Sequence, residues 1–445
     1  SALQPTHRAI ELAKVSAGSA VVVSDNLFTG TNPYFYAGDN WRTGVYSNGG
    51  EGSTSIADNT FENIRGAVNL DDFGTTVSVT GNEFESAGSA ISIGGIPADA
   101  SDLTSISGNT FGRVDTDFNG QNLSAAQPVV LDIGAFGGPA IGMIDIAATL
   151  IPEPFTALTG AGNDVVTGSS GNDIITTNAG NDAITGGAGN DAINGGLGTD
   201  TVSYANAVSV TANATGFVVD AGAEGMDTLN GVEKLMSTVS DGMGGMITKT
   251  FLLVGNGGYA TIQAAVDAAA EGDTIVLADE TFIGNVLVNK GVTIISANNA
   301  GKSGTDAMRT LESVIDGELM ITTTSKVVID GVTFLNNDDY TLTINDNYVA
   351  VKVLAHASAA SGGHVITNSI FLRDPVDPMG FNSTAFAGSD FQPTHRAVEL
   401  AKVGAGSAIV VSDNLFTGTN PYFYAGDNWR TGVYSNGGEG STSIA

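Results

Sequence analysis

The sequence predicts an all-β chain in which a parallel β-helix alternates with a tighter parallel coil, in tandem repeats of 388 residues. Three observations predict this architecture. Short β-branched runs ending in Asn-x-Phe-like punctuation recur over residues 1–150 and 251–445. A nonapeptide that contains an aspartate occurs five times in succession at 159–203. Residues 4–57 recur at 392–445 with three differences in 54 positions, at an offset of 388 residues.

Composition narrows the classes of function. The 445 residues carry 47 acidic and 16 basic side chains, a net charge of −31, and no cysteine. The few basic residues do not form a positively charged surface that could bind a phosphate backbone, so a nucleic-acid partner is not expected. Disulfides and thiolate zinc sites are ruled out. No uninterrupted apolar run of about 18 residues exists, so the sequence predicts no membrane span. The acid excess calls for counter-cations, and hard divalent ions suit carboxylates best.

The β-helix prediction comes from runs such as VVVSDNLF, TSIADNTF and VSVTGNEF. The asparagines Asn26, Asn59, Asn82 and Asn109 are 33, 23 and 27 residues apart, which suits a coil of two or three short strands per turn. Each rung must stack to bury its Val, Ile and Phe face, and corner asparagines can hydrogen-bond the rungs above and below. A β-sandwich has similar local patterns and is the alternative.

Residues 251–290 predict where a β-helix begins. Thr261 is a good N-cap, and an apolar stripe at helical spacing runs from Ile262 to Ala269, which predicts a capping helix over 261–271. A strand-rich stretch follows. The pattern ATIQAAVDAA…GDTIVLA…VTI resembles the opening of pectin-lyase-like right-handed parallel β-helices, and the resemblance implies that fold for both helical segments.

Written in nines, residues 159–203 read TGAGNDVVT, GSSGNDIIT, TNAGNDAIT, GGAGNDAIN and GGLGTDTVS. Glycine stands at position four, aspartate at six and a β-branched residue at eight. This is similar to the nonapeptide of RTX (haemolysin-type) calcium-binding proteins, which implies a parallel β-roll that binds Ca²⁺. The predicted metal-site residues are Gly160, Gly162, Asp164, Gly171, Asp173, Gly180, Asp182, Gly187, Gly189, Asp191, Gly196, Gly198 and Asp200.

The spacing fits the ion. Calcium takes six to eight oxygens at about 2.3–2.6 Å, and glycine permits the tight turn that presents backbone carbonyls. Two nonapeptides complete one coil, so residues 18 apart stack. Asp164, Asp182 and Asp200 are predicted on one edge of the roll, and Asp173 and Asp191 on the other, with about three ions between successive aspartates. Positions one and two depart from the pattern at Thr159, Ser169, Thr177 and Asn178.

The predicted domain boundaries follow these motifs. Residues 1–150 are the C-terminal part of a parallel β-helix, and 151–235 are the calcium-binding roll with a closing segment. That segment, with DTVSY and DTLNGVE, also resembles the end of RTX rolls. Residues 236–250 are a predicted linker, and 251–445 are the N-terminal part of the next β-helix. We expect the sequence to be a window of a longer tandem array.

The sequence gives little sign of a catalytic site, and we predict that the protein is not an enzyme. Alginate epimerases combine a β-helix with RTX modules, yet their Asp-Pro-His motif is missing here. The segment most similar to that motif is DPVDP at 374–378. The carboxylate pairs that could serve a lyase or glycosidase are Asp71 with Asp72, Asp338 with Asp339 and Asp374 with Asp377. The four histidines are isolated in the sequence: His7, His356, His364 and His395.

Aromatic residues concentrate in TNPYFYAGDNWRTGVYSNGG at 31–50 and in its copy at 419–438. We interpret the segment as a long loop leaving the β-helix. Such a loop could stack on sugars or contact another protein, or it could fold onto the flank of the helix as local core. The candidate contact residues are Tyr34, Phe35, Tyr36, Trp41, Tyr46, Tyr422, Phe423, Tyr424, Trp429 and Tyr434.

Near-identical modules in series favour a structural role, because length and valency gain from repetition. We predict a secreted bacterial surface protein that self-associates as a filament, a surface layer or a giant adhesin. Cysteine-free acidic RTX chains resemble clients of one-step secretion with a C-terminal signal, which implies an extracellular or cell-surface location. The alternatives are a secreted polysaccharide-modifying enzyme (a lyase or alginate-epimerase-like) and an adhesin that binds extracellular polysaccharide through the aromatic loop.

Overall fold

Stacked parallel strands dominate the computed structural model, in agreement with the predicted all-β class. The chain divides into two compact units, residues 1–209 with 218–248 and residues 210–217 with 249–445. The structure describes residues 8–12, 15–29, 43–50, 52–62, 64–73, 77–84, 87–94, 103–107, 109–111, 129–133, 141–145, 155–158, 163–168, 171–309, 312–336, 349–373, 396–401, 404–418, 431–435 and 441–444.

The first unit contains three stacks of parallel strands. The first stack runs Arg8–Leu12, Thr43–Gly50, Ile64–Phe73, Ala87–Gly94, Val129–Ile133, Phe155–Leu158, Ile174–Thr176, Ala192–Asn194 and Met226–Asn230. The second runs Ala20–Ser24, Ser53–Ala57, Val77–Thr80, Leu103–Ser107, Ile141–Asp145, Val165–Thr167, Ala183–Thr185, Thr201–Tyr204 and Lys234–Ser240. The third, short stack is Leu27–Thr29, Thr60–Glu62, Glu83–Phe84 and Thr110–Phe111.

Alternation along each strand buries one face inside the coils. Val77 and Val79 are fully buried while Ser78 between them is only half-buried. In the short stack, the ring of Phe61 lies between Phe28 and Phe84, with ring centroids 4.7 and 5.0 Å apart. Stacking identical side chains at successive rungs fills the core without a large change of backbone.

The corner asparagines form the predicted ladder. The backbone N–H of Asn26 donates to Oδ1 of Asn59 at 3.0 Å. The N–H of Asn59 donates to Asn82 and that of Asn82 to Asn109, each at 2.9 Å. Asn59, Asn82 and Asn109 are buried. Each amide therefore satisfies a backbone group that a corner would otherwise leave unpaired.

The second unit repeats the three-stack plan. Its first stack contains Thr274–Leu277, Thr293–Ser296, Val328–Asp330, His364–Thr367, Ala408–Ser412 and Ser441–Ile444. Its second contains Thr281–Ile283, Val314–Asp316, Thr333–Asn336, Ile370–Arg373 and Leu415–Gly418. Its third contains Val286–Val288, Leu319–Ile321, Val349–Val353, Arg396–Leu400 and Thr431–Ser435.

A helix lies at the start of this unit, at the predicted place but shorter than predicted. It spans Ile262–Ala268, and Oγ1 of its N-cap Thr261 accepts a hydrogen bond from the N–H of Ala264 at 3.1 Å. Ile262, Ala265 and Val266 are buried, which follows the apolar stripe. The helix stops because Ala269 takes extended backbone angles. Within the described part of the chain, no helix has the length and apolar character needed to cross a membrane.

The segment 236–250, predicted as a linker, contains regular strands instead. Lys234–Ser240 and Met246–Val254 flank a turn in which Oδ1 of Asp241 accepts from the N–H groups of Met243 and Gly245. The apolar end of the second strand, residues 252–254, is fully buried, so the chain cannot remain irregular there. Two further strands are Ser209–Asn213 and Gly216–Asp220, and short 3₁₀ turns lie at Gly222–Glu224 and Ala359–Ser361.

Tyr46 was predicted in a loop, but it belongs to strand Thr43–Gly50. Its neighbour Val45 is fully buried and pairs with Ile10 and Val68 in adjacent strands. Pairing with these neighbouring strands on both sides accounts for the strand. Tyr46 is half-buried, and the guanidinium carbon of Arg8 lies 3.4 Å from the centre of its ring. Its copy Tyr434 also lies in a strand, and the other eight predicted contact residues lie outside the described residues.

Candidate metal centre

The nonapeptides form a roll with 18 residues per coil. Val165 pairs with Ala183, and Ala183 pairs with Thr201 in the next coil. On the other side, Ile174 pairs with Ala192. The three-residue strands each bury their central β-branched residue, at position eight of the repeat. The predicted stacking of residues 18 apart is confirmed.

This stacking places the aspartates in two columns. In the column that we call edge one, the N–H of Asp164 donates to Oδ1 of Asp182, and the N–H of Asp182 donates to Oδ1 of Asp200, both at 2.8 Å. In the other column, edge two, the N–H of Asp173 donates to Oδ1 of Asp191 at 2.8 Å. All five are at most 2% exposed. One oxygen of each later aspartate is therefore committed to the backbone.

The second carboxylate oxygen has a different environment. Oδ2 of Asp182, Asp191 and Asp200 is buried without a hydrogen-bond partner. Loss of hydration, and to a smaller extent the neighbouring carboxylates, raises the pKa of Asp191 and of Asp200 to about 7, and burial also raises the pKa of Asp182. A buried anionic oxygen is costly unless a cation or a donor meets it.

Glycine at position one of the nonapeptide lets the backbone approach that oxygen closely. A Cβ added to Gly186 would lie 2.3 Å from Oδ2 of Asp191, and one added to Gly195 would lie 2.6 Å from Oδ2 of Asp200. The second of these would also lie 2.2 Å from the carbonyl oxygen of Gly231. A carboxylate oxygen and a carbonyl oxygen thus both lie within 2.6 Å of the point where a side chain at position 195 would begin. Mixed oxygens around a small space are what Ca²⁺ requires.

Positions two and four need glycine for their backbone. Gly187 and Gly189 have φ of 106° and 116°, and Gly196 and Gly198 have φ of 95° and 143°. These are left-handed conformations that L side chains rarely adopt. A Cβ on Gly198 would also lie 1.7 Å from the carbonyl oxygen of Gly180. In the same way the carbonyl of Gly171 faces Gly189, whereas Gly160 and Gly162 lie outside the described residues.

The third nonapeptide departs from the pattern in an informative way. Thr177 replaces the glycine of position one, is fully buried, and donates its hydroxyl to the carbonyl oxygen of Gly195 at 2.9 Å. Its hydroxyl also lies beside the carboxylate of Asp182. Asn178 replaces the glycine of position two and keeps the required positive φ, 66°. Asparagine tolerates this region better than other residues with a side chain.

Two acidic residues beyond the repeats continue both columns, and the nine-residue spacing does not predict them as site residues. The N–H of Asp191 donates to Oδ1 of Asp227 at 2.8 Å, and that of Asp200 donates to Oε2 of Glu233 at 2.7 Å. Tyr204 donates its hydroxyl to Oδ2 of Asp227 at 2.7 Å. Burial raises the pKa of both Asp227 and Glu233. Asp227 lies 36 residues after Asp191, which is the length of two coils. This interval was the feature of the sequence that could have identified Asp227 as part of edge two.

A second ladder runs outside the aspartates and was also missed. Oδ1 of Asn163 accepts from the N–H of Asn181 at 2.7 Å, and Oδ1 of Asn172 accepts from Asn190 at 2.8 Å. Oδ1 of Asn181 accepts from Thr199 at 2.9 Å. The recurrence of asparagine at position five in four of the five nonapeptides was the signal. These amides hold successive loops together and keep the aspartate columns in register.

The residues of the roll can hold Ca²⁺ with one kind of ligand set. Among the described residues, no three acidic, histidine or cysteine side chains gather into a metal cluster. An ion between two coils would therefore be held by two stacked carboxylates, such as those of Asp182 and Asp200, together with backbone carbonyls. This is the mixed oxygen set predicted from the sequence.

The structure describes four of the enzymatic candidates, His356, His364, Asp71 and Asp72. His364 is fully buried, and its Nδ1 accepts from the N–H of Val327 at 3.1 Å while its Nε2 lies 3.0 Å from the N–H of Ala357. The ring of His364 therefore holds backbone groups in place. His356 beside it is half-buried. Strand Ile64–Phe73 contains Asp71 and Asp72. The candidates outside the described residues are His7, His395, Asp338, Asp339, Asp374 and Asp377.

Comparison with known proteins agrees with this reading of the roll. The family model for the RTX calcium-binding nonapeptide repeat (4 copies) matches residues 156–183 and 167–202. These segments include all five aspartates of the two columns. The search of curated proteins gave no match. No solved structure matches the chain either.

Proposed function

We propose that this chain is a calcium-stabilised structural module of a secreted bacterial surface protein. The observation that carries the proposal is the pair of aspartate columns, in which buried carboxylate oxygens without a hydrogen-bond partner lie close against glycine positions that could hold no side chain. The match to the calcium-binding nonapeptide family supports it. Bound Ca²⁺ would supply the positive charge that these oxygens need.

The chain's own residues would make the roll respond to calcium. Without the ion, aspartates such as Asp182 and Asp200 place like charges in successive coils, out of contact with water. That arrangement opposes folding at neutral pH. The ion's binding energy then becomes folding energy. A protein exported into millimolar calcium would complete its roll outside the cell, which suits an extracellular or cell-surface location.

The parallel coils before and after the roll support a structural role. Their cores are continuous stacks of aliphatic and phenylalanine side chains. The recurrence of residues 4–57 at 392–445 means that the same coils are used at least twice. We place them in the pectin-lyase-like, right-handed class, and propose a non-enzymatic role in a filament, a surface layer or a giant adhesin.

The experiment is hydrogen exchange of the full chain with and without a calcium chelator. We expect residues 163–233 to lose protection on chelation while residues 262–336 keep theirs. Equal protection in both conditions would contradict the calcium role. Incubation with alginate and pectate tests the structural role separately. Formation of unsaturated ends, or an altered epimer ratio, would favour a polysaccharide-modifying enzyme instead.

A further inference from the structure

The two aspartate columns end differently beyond the last nonapeptide. Edge one continues from Asp200 to Glu233, and edge two continues from Asp191 to Asp227. Both closing residues accept the backbone N–H of the preceding aspartate, and both are buried. They lie after the segments that match the calcium-binding family model, which end at residue 202. The oxygens that surround each closing residue decide whether an ion can bind there.

The coils inside the repeats show which oxygens accompany an aspartate. A Cβ added to Gly168 would lie 1.8 Å from the carbonyl oxygen of Gly186 and 2.7 Å from Oδ2 of Asp173. These two oxygens come from successive coils, and they lie close to the same point. A carboxylate oxygen and a carbonyl oxygen of the next coil are thus the pair that a nonapeptide offers to Ca²⁺.

The end of edge one repeats this arrangement outside the nonapeptides. A Cβ added to Gly195 would lie 2.2 Å from the carbonyl oxygen of Gly231 and 2.6 Å from Oδ2 of Asp200. Gly231 lies in the closing segment, and it takes the place that Gly186 takes inside the repeats. Asp200 is fully buried, and its Oδ2 has no hydrogen-bond partner. A buried carboxylate oxygen beside a carbonyl oxygen is costly unless a cation binds both.

Glu233 supplies the second carboxylate of this position from a shorter loop. In the last nonapeptide, Asp200 follows Gly195 by five residues, whereas Glu233 follows Gly231 by two. The glutamate side chain is one methylene longer than that of aspartate. Its Oε2 accepts the N–H of Asp200 at 2.7 Å, close to the 2.8 Å of the aspartate bonds inside the roll. The longer side chain therefore compensates for the shorter loop.

The end of edge two lacks these oxygens. Tyr204 is 4% exposed and donates its hydroxyl to Oδ2 of Asp227 at 2.7 Å, while Oδ1 of Asp227 accepts from the N–H of Asp191. Both oxygens of Asp227 are therefore engaged. The three atoms nearest to a Cβ on Gly186, out to 3.4 Å, all belong to Asp191, so no carbonyl oxygen approaches this point as that of Gly231 does in edge one. Oδ2 of Asp191 has no partner, but a single oxygen falls short of the six to eight that Ca²⁺ takes.

We propose that the roll closes with calcium on one edge and with a hydrogen bond on the other. On edge one, a further Ca²⁺ lies between Asp200 and Glu233 and also binds the carbonyl oxygen of Gly231. On edge two, the hydroxyl of Tyr204 holds Asp227, and no ion binds beside it. The inference rests on the proposed calcium role of the roll and adds a position outside its nonapeptides. With about three ions between successive aspartates, the full chain should bind about four.

Two isosteric variants of the full chain test this difference. Glu233→Gln keeps an oxygen that can accept the N–H of Asp200 and removes the charge, and Asp227→Asn does the same for the N–H of Asp191. We expect Glu233→Gln to bind one ion fewer than the parent, and Asp227→Asn to bind as many as the parent. Calorimetric titration of the metal-free chains with Ca²⁺, together with elemental analysis after dialysis, counts the ions.

An unchanged ion count in Glu233→Gln would overturn the proposal, and so would the loss of an ion from Asp227→Asn. Circular dichroism in calcium shows whether each variant folds. If Glu233→Gln does not fold, the other two chains decide: about four ions in both support the proposal, and three in the parent overturn it. A parent that binds no ion would contradict the proposed function itself. A parent that binds ions, with a Glu233→Gln chain that binds the same number, would leave that function standing.

Discussion

Replacing Asp200 by Asn should have opposite effects with and without calcium. The substitution keeps the oxygen that accepts the N–H of Asp182 and removes the charge at the buried, unpartnered Oδ2. Asp200 lies between Asp182 and Glu233 in edge one, so its carboxylate contributes to a proposed ion position on each side. With calcium the variant should lose binding, and without calcium it should lose an electrostatic penalty.

The magnitudes follow from burial and from linkage. An ion at 100 times its Kd contributes about 2.7 kcal/mol of stability, and we expect Asp200→Asn to lose about that amount per site affected. A pKa raised from 3.8 to about 7 means that the folded state binds the proton more tightly than the unfolded chain. Without metal, the protonated carboxyl of Asp200 therefore stabilises the folded state fully below pH 3.8. This stabilisation is lost as the pH rises to about 7. Allowing for screening by water near the surface of the roll, the loss is about 1–2 kcal/mol.

The assay is urea unfolding at pH 8, in millimolar calcium and in chelator. Amide hydrogen exchange of the roll is the readout. The variant should be less stable than the parent with calcium and more stable without it, and the metal-free gain should vanish at pH 4. Asp267→Asn, at an exposed helix position, is the control and should change little. A variant that is destabilised equally in both conditions would contradict a role for Asp200 in calcium binding, because that result needs no ion.

Three further outcomes are expected. Gly198→Ala should destabilise the roll by about 2–4 kcal/mol, because its Cβ meets the backbone of the next coil, whereas Gly244→Ala, also at positive φ but with open space, should cost about 1 kcal/mol in the same unfolding assay. Phe61→Ala should cost about 3–5 kcal/mol by removing the middle of a ring stack, measured by thermal unfolding. Burial lowers the pKa of His364 and of its neighbour His356, so stability of the second unit should be lost as pH falls below 6.5, and His364→Gln should reduce that pH dependence in calorimetry, leaving the part that His356 contributes.

The sequence was most informative where one residue pattern repeats without interruption. Aspartates nine residues apart fix which coils touch, so Asp164 and Asp182 could be placed beside each other in advance. Corner asparagines such as Asn59 and Asn82 were predictable for the same reason, since a repeated corner must satisfy its own backbone. Their spacing varies, but their role does not.

The prediction was weakest where the chain interrupts a pattern. Residues 204–226 separate the last nonapeptide from Asp227, so the continuation of edge two is hidden by an insertion. Glu233 continues edge one at an interval of 33 residues that no nine-residue count reaches. Tyr46 was assigned to a loop because aromatic density suggested a contact site, whereas pairing with neighbouring rungs made the segment a strand. Tertiary pairing outweighs local composition in such segments.

We propose that Ca²⁺ holds the stacked aspartates together, and calorimetric titration of the full metal-free chain measures this binding. We expect saturable binding of about three or more ions at or below millimolar concentration, with proton release near pH 7 as calcium displaces protons from carboxyls such as that of Asp191. Absence of saturable heat, together with unchanged exchange of residues 163–233 in calcium and in chelator, would contradict it.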